Sequence, residues 1–218
     1  MKRLFYATVA LGALSLPHFA NATPTPPACA LSDVSLTIGA VDYAPSLCGI
    51  DVNQGSGPTA EMSSVSSVLH TAGSTDTPFT LLAASDGTSE TVQGIKYTVT
   101  AGTGTSGTYS VSWDDTNGPT QLNLPITIDL AVALLGGNNG NAYQFDNVVL
   151  PESPETGSGT FDVTFLNNGG NNPDLSHLDL GGSNAKETTV PSVPEPASVA
   201  LLGLGLLGIG YTRRARSA

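Results

Sequence analysis

Positive charge is scarce in this 218-residue chain: seven lysines and arginines stand against 18 acidic residues. Lys2 and Arg3 open the chain, and Arg213, Arg214 and Arg216 close it. Only Lys96 and Lys186 lie between, so the balance there is near −16. Such a body repels polyanions, and neither nucleic acid nor an anionic membrane surface is expected to bind it. Cysteine is also scarce. Cys29 and Cys48 are the two present, and neither has a Cys or His companion at metal-ligand spacing. In an exported chain such a pair is expected to be a disulfide. Closing a loop of about 20 residues would contribute about 3 kcal/mol in the chain-entropy model. There is no Gly-rich phosphate loop, no Gly-x-Ser-x-Gly elbow and no heme motif. No cofactor, metal or catalytic residue is therefore expected.

What is present is concentrated at the two ends. Lys2 and Arg3 precede an apolar run over residues 4–16, followed by Ala20, Asn21 and Ala22. A basic start, a short apolar stretch and a small-x-small site predict a secretory signal peptide over residues 1–22. Signal peptidase is expected to cleave between Ala22 and Thr23. The run is shorter than the about 20 residues that a retained membrane anchor needs. At the other end, Val193, Pro194, Glu195 and Pro196 introduce an apolar segment over 197–211, with the arginines after it. Fifteen Gly- and Leu-rich residues suit a thin inner membrane, with the arginines held cytoplasmic and the body outside.

This three-part tail resembles the PEP-CTERM sorting signal of Gram-negative bacteria that make exopolysaccharide. The resemblance implies recognition by an exosortase, a membrane-embedded cysteine transpeptidase-like enzyme, with cleavage near Pro194, Glu195 and Pro196. Those three are a recognition element and not catalytic groups. Arg213, Arg214 and Arg216 are the cytoplasmic basic cluster. A second resemblance concerns the body. Cys48 and Gly49, Trp113, the segment 124–135, Tyr143 to Phe145, Gly159 to Phe161 and Asn172 to His177 are similar in order to a family of PEP-CTERM exported proteins of no established activity. Residues 130–135 lack the lysine found in relatives, and no catalytic residue carries over.

Between the ends, alternation of period two predicts half-buried strands. Ile95, Tyr97 and Val99 alternate with Lys96, Thr98 and Thr100, and Tyr109, Val111 and Trp113 with Ser110 and Ser112. Ile126, Ile128, Leu130, Val132 and Leu134 alternate with Thr127, Asp129 and Ala131; Phe161, Val163 and Phe165 with Asp162 and Thr164. Residues 31–38 offer a further strand. Turn-forming stretches at 102–107, 114–119 and 136–141 separate them. With 25 glycines and 15 prolines, the expectation is an all-β fold, an antiparallel β-sandwich of jelly-roll or immunoglobulin-like type. It would occupy residues 23–185, followed by a linker over 186–193 and the sorting signal over 194–218. Residues 61–70 hint at a helical turn through Met62, Val65 and Leu69, while their serines allow a loop.

Chemistry-bearing residues are few. His177 lies among Asp174, Ser176 and Asp179, but a Ser–His–Asp triad is a spatial arrangement and not a sequence run. A local hydrogen bond at a strand start accounts for it. Asp114, Asp115, Thr116, Asn117 and Gly118 look oxygen-rich, yet the EF-hand spacing fails and a hairpin turn accounts for them. Tyr97, Tyr109 and Trp113 could stack on sugars, though they share the apolar phase of their strands and so read as core. The expectation is a non-enzymatic exported protein of the cell surface or exopolysaccharide matrix, with signal peptidase, exosortase and, transiently, the inner membrane as partners. Exopolysaccharide is a candidate partner, and a carbohydrate-binding module is the alternative.

Overall fold

The computed structural model describes residues 29–76, 78–116 and 121–188. The leader, the sorting tail and the linker beyond residue 188 lie outside the described residues. The chain enters through a single 3-10 turn, Leu31–Asp33, and runs through β1 (Leu36–Ile38), β2 (Val41–Tyr43) and β3 (Leu47–Ile50). Helix α1 (Pro58–Ala72) follows, then β4 (Thr80–Ala84), β5 (Thr91–Val92), β6 (Ile95–Ala101) and β7 (Ser106–Asp115). β8 (Ile126–Gly136), β9 (Asn139–Leu150), β10 (Thr156–Asp162) and β11 (His177–Glu187) complete the body.

The strands form two antiparallel sheets, ordered β2-β1-β10-β7-β6-β5 and β3-β9-β8-β11-β4. The expected alternation is obeyed where one face of a strand meets the other sheet. β6 buries Ile95, Tyr97 and Val99 and exposes Lys96, Thr98 and Thr100; β7 buries Tyr109, Val111 and Trp113. These side chains pack with Ile126, Ile128, Leu130, Val132, Leu134, Leu178 and Leu180 into one core between the sheets. Trp113 Nε1 donates to the Pro151 carbonyl and Tyr109 Oη to that of Ser35, so both polar tips are satisfied inside.

β10 reaches this core through Gly157 and Gly159 because its neighbours leave no room. A Cβ on Gly159 would stand 1.9 Å from the Ser35 carbonyl oxygen and 2.5 Å from the Tyr109 ring. Phe161 is the last inward residue of that strand, which ends at Asp162; Val163 and Phe165 are buried beyond it without strand pairing. The expected strand over 31–38 is thus a 3-10 turn plus a three-residue strand.

β8 departs from simple alternation. Ala131, Ala133 and Leu135, on the face away from the other sheet, are as buried as Val132 and Leu134. The cover is α1, whose Met62, Val65 and Leu69 lie on these residues with Val52, Phe79, Leu81 and Ala142. Residues 61–70 are therefore the centre of a 15-residue helix. It starts at Pro58, whose missing N–H costs nothing at a first helical position, and ends at Gly73, whose φ of +116° closes the last turn. The serines do not break it: Ser63 and Ser66 bond back to the carbonyls of Thr59 and Met62.

Several boundaries differ from the expectation: Ser106, Gly107, Asp114 and Asp115, expected in turns, belong to β7. The break after β8 is a two-residue hairpin, Gly137 and Asn138, both at positive φ (+60° and +71°), so residues 139–141 belong to the next strand. β11 continues through Lys186 and Glu187, which the sequence assigned to the linker.

Candidate functional site

Strand β11 lies second from the edge of its sheet, between β8 and β4. Leu178 and Leu180 point between the sheets, so His177, Asp179 and Gly181 fall on the face covered by α1. A Cβ on Gly181 would meet Met62 Sδ at 2.4 Å. Glu61, in the first turn of α1, is carried onto the same face and is 2% exposed. His177 Nε2 lies 2.9 Å from Glu61 Oε2 and 3.8 Å from Asp179 Oδ1, and no pair of the three groups' ligand atoms is further apart than 4.8 Å.

The electrostatics of this triplet are unbalanced. Asp179 is 0% exposed, and neither of its carboxylate oxygens has a hydrogen-bond donor. Burial above all, and then the neighbouring Glu61 carboxylate, push its carboxyl well above the usual range, with Asp86 adding to the effect. Among the described residues, no lysine or arginine forms an ion pair with either carboxylate; His177 alone does. One imidazole and two carboxylates converging at this spacing can share a proton or hold a divalent cation.

A second carboxylate cluster lies around Asp129 of β8, where both neighbouring strands carry a β-bulge. β9 shifts register opposite residues 128–130, with Asn147 at φ +53°, and β11 shifts after Ser183, with Asn184 at φ +54°. Here donors are supplied. Asp129 accepts from the Asn147 backbone N–H at 2.7 Å and from Asn184 Nδ2 at 2.9 Å. Asn184 Nδ2 also reaches Asp76 at 3.1 Å, and Gln144 Nε2 bridges Asp76 and Asp146. Burial, followed by Asp129 and Asp146, raises the Asp76 carboxyl, while Asn184 and Ser74 hold it down. The cluster is a network of amides between acids.

The residues singled out from sequence fall as follows. Cys29 and Cys48 are joined, with Cα atoms 6.1 Å apart. Tyr97, Tyr109 and Trp113 are core, each 3% exposed or less. His177 does begin a strand, but the expected local hydrogen bond is replaced by one to Glu61, 116 residues away. Neither Ser176 nor Asp174 is its partner; Glu61 and Asp179 are, and the sequence gives no sign of Glu61's part. Asp114 and Asp115 end β7, while 117–120 lie outside the described residues. So do Ala22, Thr23, Pro194, Glu195, Pro196, Arg213, Arg214 and Arg216. Among the described residues no helix is long and apolar enough to cross a membrane.

The described body is thus a two-sheet antiparallel β protein with one disulfide and one helix laid on its outer face. Residues 192–216 match the PEP-CTERM protein-sorting motif, so the chain carries that sorting domain, with Pro194, Glu195, Pro196 and the three arginines inside the matched span. The motif implies an exported protein sorted by an exosortase. No curated protein and no solved structure matches the chain.

Proposed function

We propose that this is an exosortase-sorted structural protein of the cell surface or exopolysaccharide matrix, without catalytic activity. The sorting motif at 192–216 is the observation that carries the reading. In this scheme signal peptidase removes residues 1–22 between Ala22 and Thr23. The segment 197–211 then holds the chain transiently in the inner membrane, with Arg213, Arg214 and Arg216 on the cytoplasmic side. Exosortase acts near Pro194, Glu195 and Pro196 and releases the acidic body, with residues beyond β11 as its tether. A disulfide and a deficit of positive charge both suit an oxidising, extracytoplasmic setting.

Against a Ser–His or Cys–His hydrolase stands the fact that the partners of His177 are two carboxylates and no hydroxyl or thiol. Sugar binding, the alternative, loses its aromatic platform, because Tyr97, Tyr109 and Trp113 are all core residues. Mass spectrometry of the protein recovered from the cell surface and matrix tests the proposal. A C-terminus ending near residues 194–196 is the expected result. An intact Arg216 on the mature protein, or recovery in the cytoplasm, would overturn it.

A further inference from the structure

Three of this protein's buried carboxylates make an informative comparison. Asp33 is 6% exposed, and one of its oxygens receives the Ala30 backbone N–H, the Tyr143 hydroxyl and the Thr164 hydroxyl. Asp129 is 9% exposed and receives a backbone N–H and an amide. Both obey the rule that a buried charge is solvated by fixed donors. Asp179 breaks it. It is the most buried of the three, neither of its oxygens has a fixed donor, and a second buried carboxylate, Glu61, lies within 4.8 Å.

Two carboxylates held together in a dry site without fixed donors need either a shared proton or a cation between them, and the imidazole beside them supplies a third ligand for a cation. His177 is the more exposed member, its side chain 13% exposed, with Nε2 bonded to Glu61 at 2.9 Å and 3.8 Å from Asp179. The three ligand atoms come from two elements distant in sequence, the first turn of α1 and the first three residues of β11. Their mutual separations, from 2.9 Å to within 4.8 Å, bracket the spacing of ligands around an ion bound at about 2.0–2.2 Å.

We propose that Glu61, His177 and Asp179 bind one divalent first-row transition-metal ion, and that this ion clamps the start of α1 to the start of β11. The imidazole favours such metals over Ca²⁺ or Mg²⁺, which prefer oxygen ligands alone. Three protein ligands leave one position for water on the side of His177. The metal compensates the two buried negative charges, and it locks the helix over the outer face of β8. This role, holding α1 on the sheet, goes beyond sorting.

Zinc is the probe. The full chain, stripped with a chelator and dialysed against Zn²⁺, is expected to retain one zinc per chain by elemental analysis. Its thermal midpoint should rise with free Zn²⁺ concentration, because the ion binds the folded form. Asp179→Asn and His177→Gln should each weaken binding by more than about tenfold. Asp146→Asn, in the amide-bridged cluster, should leave it unchanged. Near-UV circular dichroism checks that each variant is folded, and His177→Gln, at the partly exposed position, serves if Asp179→Asn does not fold. The proposal is overturned if wild type retains no stoichiometric zinc, if both Asp179→Asn and His177→Gln keep wild-type affinity, or if Asp146→Asn abolishes binding. Displacement of the zinc by equimolar Ca²⁺ would also overturn it.

Discussion

Removing the disulfide by the paired change Cys29→Ala and Cys48→Ala should destabilise the body mainly through the unfolded chain. Cys29 precedes the 3-10 turn that leads into β1 of the six-stranded sheet, whereas Cys48 sits on β3, at the edge of the five-stranded sheet, opposite Tyr143. The bond spans 19 positions, and the loop it closes carries β1 and β2. For a loop of about 20 residues the chain-entropy relation gives a loss of about 11 cal/mol/K, or about 3 kcal/mol at 25 °C. Both cysteines are only partly buried against the core, so the lost sulfur contacts add little. For a body of this size about 3 kcal/mol lowers the thermal midpoint by roughly 6–12 °C. Circular dichroism melts of wild type and variant, each with and without reductant, measure it. The near-UV signal of Trp113, on β7 in the core between the sheets, should be unchanged before melting. A shift under about 2 °C, or a reductant effect on the variant equal to that on wild type, would refute the reasoning.

Three further outcomes follow from packing and ionisation. Gly159→Ala forces a methyl group into the Ser35 carbonyl and the Tyr109 ring and should cost about 3 kcal/mol, read from chemical denaturation. Leu69→Ala removes a fully buried side chain between α1 and the sheet, with an expected loss of about 3 kcal/mol; hydrogen exchange should localise the loosening to α1. Burial raises the phenols of Tyr97, Tyr109 and Tyr143 above their ordinary value. Their contribution is therefore full below about pH 10 and is lost as pH rises above it, where the unfolded phenols ionise and the buried ones do not. Phenolate absorbance should show these three tyrosines titrating only together with unfolding; reversible titration in the folded state would contradict the packing.

Much of this protein was legible in one dimension. Alternation of apolar and polar residues is a local consequence of strand geometry, so Ile95 to Val99 and Tyr109 to Trp113 announced their strands and their inward faces without any knowledge of partners. The sorting tail was legible for a similar reason: it is a contiguous stretch whose parts act in order. A lone pair of cysteines in an exported chain leaves only one pairing to make.

Tertiary structure decided the rest, because it concerns who covers whom. Nothing in the serine-rich residues 58–72 states that Met62, Val65 and Leu69 will close the outer face of β8, and that packing is what turns an ambiguous segment into a helix. The same docking brings Glu61 to His177 and Asp179 across 116 residues. No spacing rule spans such a distance, since a side-chain cluster depends on the relative placement of two elements and not on the period of either. Sequence thus established that the chain is sorted and β-rich; only the packed fold assembled two buried carboxylates and an imidazole at one point.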